Sequence, residues 1–131
     1  MPEDSLRHRA HADAIVERAS EQLRALLVEL AEDIEPFPEF PGSFFTYGIE
    51  VEPPAGAGAE RGCVVLAEDG ELYELQVGLD PEELASGDAS AMRQELRVPL
   101  EGLTPTEYVA YAYNAVRAAA EYVEAKAEAS R

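Results

Sequence analysis

Asp4, His8 and His11 recur at i, i+4 and i+7 near the start of the chain, a spacing that brings a carboxylate and two imidazoles onto one helix face. Such a trio has the chemistry to hold Zn²⁺ or Ni²⁺. Arg7 and Arg9 are interleaved with these residues and would oppose a cation, and a solvated helix start accounts for the same pattern. The carboxylates of Glu68, Asp69 and Glu71, and those of Asp80, Glu82 and Glu83, are hard oxygen ligands of the kind Ca²⁺ and Mg²⁺ prefer. A tight turn explains the first cluster and a helix N-terminus the second, and neither has EF-hand spacing. Cys63 would need a depressed pKa and a neighbouring base to act as a nucleophile, whereas acidic neighbours raise a thiol pKa, so it reads as a structural thiol. The glycines from Gly56 to Gly62 lack the G-x-G-x-x-G spacing and a following Lys-Ser/Thr, so they read as a hairpin loop and not a phosphate cradle. The residues therefore point to no catalytic site, no cofactor and no metal.

The elements that carry these residues can be read from periodicity and punctuation. Residues 5–34 form an amphipathic helix with Val16, Ala19, Leu23, Leu26, Leu27, Leu30 and Ile34 on its apolar stripe. Pro36, Pro38 and Pro41 end it and make a stiff connector, with Phe37 and Phe40 tucked under the helix end. Phe44 to Glu52 alternates as a strand until Pro53-Pro54. Gly62 to Leu79 reads as a hairpin about a two-residue Asp69-Gly70 turn. That turn sets Leu66 opposite Tyr73 and Val64 opposite Leu75. It places Val64, Leu66, Tyr73, Leu75, Val77 and Leu79 on one face, and Cys63, Val65, Ala67, Leu72, Glu74 and Gln76 on the other.

Asp80-Pro81-Glu82-Glu83 starts a short helix that Gly87 stops, and residues 86–92 read as a mobile loop. Glu95 to Leu100 is a fourth strand, with Leu96, Val98 and Leu100 facing inward. Thr104-Pro105-Thr106-Glu107 is a capping box that opens a helix to about Ala127. This helix carries two neighbouring apolar stripes. One is Val109, Tyr113, Val116, Ala120 and Val123; the other is Tyr108, Tyr111, Ala115, Ala119 and Tyr122. Two stripes predict two neighbours, the sheet being one, and the N-terminal helix or a second subunit the other. The expectation is a single α+β domain over residues 1–131: a four-stranded, mainly antiparallel sheet with the N- and C-terminal helices packed on one face.

Residues 95–125, ELRVPLEGLTPTEYVAYAYNAVRAAAEYVEA, resemble the end of YbjN-like proteins, a small bacterial family related in fold to type III secretion chaperones. The likeness lies in the strand that ends in an apolar-Pro-Leu-Glu-Gly turn and in the Thr-Pro helix cap that follows. The order of elements is also similar, with one strand between the short helix and the last. The resemblance implies an α+β protein that dimerises or binds polypeptide and carries no catalytic residues.

Composition bounds the function classes. A formal net charge of −17 in 131 residues disfavours nucleic acid and anionic membranes as partners. Residues 32–90 hold fifteen Asp and Glu against Arg61 alone. Glu outnumbers Asp 21 to 6 and Arg outnumbers Lys 9 to 1, which with abundant Ala, Gly and Pro suggests a GC-rich, bacterial coding bias, a halophile being the weaker reading. One cysteine excludes an internal disulfide, and no stretch reads as a signal peptide or a membrane span, so a cytoplasmic protein is expected.

The second sheet face, with Phe44, Cys63, Val65 and Leu72, is expected to stand open as an association surface. Tyr108, Tyr111 and Tyr122 divide between core and interface. The leading expectation is a non-enzymatic acidic binding or adaptor protein, a homodimer of chaperone-like role that engages a polypeptide, with a basic partner favoured by charge. One alternative is a charge mimic that inhibits a basic toxin or nucleic-acid-binding protein, as an immunity protein would. The other is a small-ligand-binding domain or enzyme.

Overall fold

The chain runs through α1 (Pro2–Asp33), β1 (Ile49–Val51), β2 (Cys63–Leu66), β3 (Leu72–Leu79), β4 (Arg93–Pro99) and α2 (Pro105–Ala129). The computed structural model describes residues 2–40, 47–55, 63–79 and 93–130. Each strand pairs antiparallel with the next, in the order β1-β2-β3-β4, so the α+β class and the four-stranded antiparallel sheet are as expected. The first residues of the strand expected from Phe44, the loop at 56–62, the short helix expected from Asp80 and the loop at 86–92 lie outside the described residues.

Local chemistry accounts for the helices. At the start of α2 the Thr104 hydroxyl accepts from the Glu107 N–H at 3.2 Å, and the Glu107 carboxylate accepts from the Thr104 N–H at 3.1 Å. Two of the helix's orphan donors are thereby satisfied, with Pro105 in the position that needs none. α1 buries Leu27, Ala31 and Ile34, spaced four and three apart, with Leu23 and Leu30 at the margin. α2 buries Tyr111, Ala112, Ala115 and Ala119. Three alanines on the inward side let the helix axes approach closely.

The two helices run in the same direction side by side. Arg24 of α1 lies over the Tyr108 ring near the start of α2, at 4.8 Å from its centroid. At the other end the Lys126 ammonium donates to the Glu35 carbonyl at 3.4 Å. They cover one face of the sheet, where Ile49, Val51, Val64, Leu66 and Leu72 meet Leu27, Tyr111 and the α2 alanines in one core. Phe37 packs against this core, as expected of the proline connector.

The hairpin forms, but its register differs by one residue from the expectation. Leu66 pairs with Leu72, Val65 with Tyr73, Val64 with Glu74 and Cys63 with Leu75. The loop has three residues, Glu68-Asp69-Gly70. The Gly70 N–H donates to the Ala67 carbonyl at 2.9 Å, and the Ala67 N–H donates to the Glu71 carbonyl at 3.0 Å. Gly70 has φ +83°, so the loop is a turn closed by a left-handed glycine, the usual three-residue hairpin. The Asp69 carboxylate accepts from the Glu71 N–H at 2.8 Å and locks the turn.

This single step exchanges one strand's faces. Leu72 joins Val64 and Leu66 on the helix-covered face, and Tyr73 and Leu75 move to the opposite one. Two further placements are corrected. Leu96 pairs with Gln76 at the far end of the sheet and is exposed, not inward. Leu26 lies on the outer flank of α1 and is exposed as well.

Gly70 also meets α1. A Cβ built there would lie 2.6 Å from the Val28 Cα and 2.9 Å from its backbone nitrogen. The substitution Gly70→Ala therefore combines a left-handed backbone penalty with a backbone clash. Its expected cost is about 2–4 kcal/mol, measured as a lower urea midpoint. An unchanged midpoint would contradict the close approach of hairpin and helix.

Candidate interaction surface

Of the residues expected to make a contact surface on the sheet, Cys63 and Val65 share the face away from the helices and Leu72 lies on the other. Phe44 lies outside the described residues. Cys63 is exposed at the start of β2. Val65 and Leu72 are both buried, Leu72 under the helices and Val65 on the opposite face. Tyr111 is in the core, while Tyr108 and Tyr122 are half-buried against it.

The opposite face is closed near the hairpin turn. Val65, Ala67 and Leu75 are buried there. The Arg97 guanidinium lies 4.6 Å from the centroid of the Tyr73 ring. It donates to both Glu68 carboxylate oxygens, at 2.9 and 3.2 Å, and to the Tyr47 carbonyl at 3.5 Å. The Tyr73 hydroxyl donates to Asp69. One arginine thus ties β4 to the turn and to the segment before β1. The Arg97 hydrogen bond holds the Glu68 carboxyl below its ordinary range and, reciprocally, raises the guanidinium pKa. Hydrogen bonding to Asp69, with burial adding to it, raises the Tyr73 phenol.

The candidate chemical groups are dispersed or occupied. Asp4, His8 and His11 are all exposed on α1. Glu68 pairs with Arg97, Asp69 with the turn and Tyr73, and Glu71 with Arg24 at 3.4 Å. Among the described residues no group of three or more His, Cys, Asp or Glu is placed to hold a metal ion. Asp80, Glu82, Glu83 and the glycines at 56, 58 and 62 lie outside the described residues. A cleft of about 220 Å³ opens between Arg24, Glu71, Gly102 and Tyr108, and a second of about 280 Å³ between Glu35, Val123 and Lys126. No described helix is long and apolar enough to cross a membrane.

Among the described residues most exposed large apolar groups lie on the helices, with Tyr47 before β1 and Leu96 on β4 the exceptions. On α2, Tyr113 is 55 % and Val123 44 % exposed, and Ala120 between them is exposed too. With Val109, Val116 and Ala127 they recur at alternating spacings of four and three, the pattern of a coiled-coil seam. On α1, Ile15 is 54 % and Leu26 39 % exposed. Sequence reasoning saw the α2 stripe and left its neighbour open between the N-terminal helix and a second subunit. The stripe facing α1 and the sheet holds Tyr108, Tyr111, Ala115, Ala119 and Tyr122, while on the other Val109 and Val116 are half-buried and Tyr113, Ala120 and Val123 are open to solvent.

No family model, curated protein or solved structure matches this chain.

The Arg97–Glu68 pair carries a pH dependence. A carboxyl whose pKa is depressed by folding stabilises the fold above its unfolded pKa, and this contribution is lost as pH falls through the folded value. Wild type is expected to lose stability below the ordinary glutamate pKa of 4.5 more steeply than Arg97→Met, in urea unfolding followed from neutral pH into acid. Because Glu68 is 48 % exposed, the difference should stay below about 1 kcal/mol. Parallel pH profiles for the two proteins would remove Arg97 as the cause.

Proposed function

We propose that this chain is a non-enzymatic acidic binding protein of adaptor or chaperone-like role, which engages a polypeptide through the outward face of α1 and α2. The observation that carries the reading is the exposed seam on α2, with Tyr113 and Val123 open to solvent on a chain of net charge −17. An apolar stripe of this kind on a regular helix suits an amphipathic partner helix, read at alternate turns. Tyrosine at the centre of such a stripe is a favoured anchor. The acidic surroundings favour a partner with basic flanks and slow the approach of acidic ones. Membership of the YbjN-like group, a bacterial source and a cytoplasmic setting belong to the same proposal, and the capping box at Thr104 after the Val98-Pro99-Leu100 strand end is in keeping with it.

A second reading is charge mimicry, with the acidic surface occupying a basic toxin or nucleic-acid-binding protein. It is favoured by the fifteen carboxylates in residues 32–90. Salt separates the two, because exposed charge pairs are screened and apolar burial is not.

The test is capture of the partner from source-cell extract on the immobilised full-length protein, at low and high ionic strength, beside the Tyr113→Glu/Val123→Glu variant. The expected result is a partner that survives high salt and binds the variant at least about tenfold more weakly. A partner that binds both proteins equally would sink the apolar reading, and one released by salt alone would favour mimicry.

A further inference from the structure

The outward groove between α1 and α2 lies beside a second unusual feature, the length of α1. Ser20 and Arg24 stand level with Pro105 and Tyr108 at the start of α2, and these residues line one cleft. Everything before Ser20 therefore extends past α2, a projection of about 27 Å at 1.5 Å per residue. Every residue from Asp4 to Ile15 is exposed, including Leu6 and Ile15. A helical stretch this exposed gains little from packing and is marginal in water.

This arm has a seam of its own. His8, Ala12, Ile15, Ala19, Gln22 and Leu26 alternate at four and three, as do Val109, Tyr113, Val116, Ala120, Val123 and Ala127 on α2. The arm's charges are mixed, Glu3, Asp4, Asp13 and Glu17 against Arg7, Arg9 and Arg18, but its basic residues cluster beside His8, whereas carboxylates dominate the far end of α2. Arg7 and Arg9 flank His8 on either side, and residues 5–12 contain no acidic residue. At the far end of the groove, Glu29 and Asp33 on α1 and Glu124 and Glu128 on α2 are all exposed. The carbonyl ends of two parallel helices add to the negative potential there.

We propose that the occupant of this groove is the arm of a second copy of the chain, laid antiparallel, with the two copies exchanging arms about a two-fold axis. The inference rests on the reading of the helix face as a polypeptide-docking surface and names its first partner. The direction follows from charge. An antiparallel arm carries Arg7 and Arg9 to the acidic end beside Glu124 and Glu128, while a parallel one would leave both arginines away from it. It also sets the arm's helix dipole against those of α1 and α2. Reach is sufficient: the seam from Val109 to Val123 spans about 21 Å, and the arm is longer. A two-fold arrangement makes each contact twice, so each chain is both donor and acceptor.

The test is light scattering after size exclusion on the full-length protein over a range of concentrations. Arg7 and Arg9 are exposed, so charge changes there are expected to leave the fold intact, which circular dichroism checks. Wild type is expected at twice 14.2 kDa. Arg7→Glu/Arg9→Glu should weaken the dimer at least about tenfold, and adding Glu124→Arg/Glu128→Arg should restore it. A monomer at every concentration, or a dimer indifferent to Arg7→Glu/Arg9→Glu, overturns the inference. So does failure of the second pair of changes to restore what the first removed. A synthetic basic amphipathic helix, titrated onto the monomer in that event, distinguishes the two readings. Binding that Tyr113→Glu abolishes leaves the docking surface standing without the arm exchange, and no binding removes both.

Discussion

The approach of the β2–β3 turn to the backbone of Val28 is the contact on which the rest of the fold depends. Only a residue without a Cβ can sit where Gly70 sits, and only a left-handed backbone turns the chain there. Together these set a three-residue loop in place of a two-residue one. The loop sets the register, and the register decides which side chains α1 and α2 cover. Leu66 and Leu72 become partners beneath the helices because of one extra residue in the loop. With the other register, Tyr73 and Leu75 would face α1, and the packing against Leu27 would have to be rebuilt around an aromatic ring.

What could be read from residues alone was what short-range chemistry determines. The capping box at Thr104, the prolines after α1 and the alternation of Ile49-Glu50-Val51 are each complete within a few residues, and each gave the right element. The hairpin was legible for the same reason. Its register was not, because Asp69-Gly70 fits two loop lengths, and the choice between them is made by Val28, more than forty positions away in the chain. The inward side of α2 was ambiguous in another way. Both stripes are apolar, and which of them is covered, with Tyr111, Ala115 and Ala119 buried, is decided by packing against distant elements.

Two arginines secure this arrangement in a chain that has few cations. Arg24 joins α1 to the Glu71 carboxylate after the turn and to the Tyr108 ring on α2. Arg97 joins β4 to Glu68 in the turn and to Tyr73 on β3. Both converge on the residues around Gly70, one from each side of the sheet. Each pair is exposed enough that its ionic part is small, and the guanidinium stacked on a ring contributes by covering apolar surface as well as by charge. The turn is therefore held by the glycine that permits it, by its own aspartate, and by an arginine on either side.

The same charge balance explains how an apolar seam can stay in contact with water. Mutual repulsion between chains of net charge −17 opposes association in most orientations and so counters the adhesion of Tyr113 and Val123. Repulsion is weakest where carboxylates thin out, as over residues 5–12 at the start of α1, which hold Arg7 and Arg9 between Asp4 and Asp13. An approaching copy meets least resistance when it presents this end to the acidic end of the helix pair. Charge would then select the direction of approach and the seam would supply the adhesion.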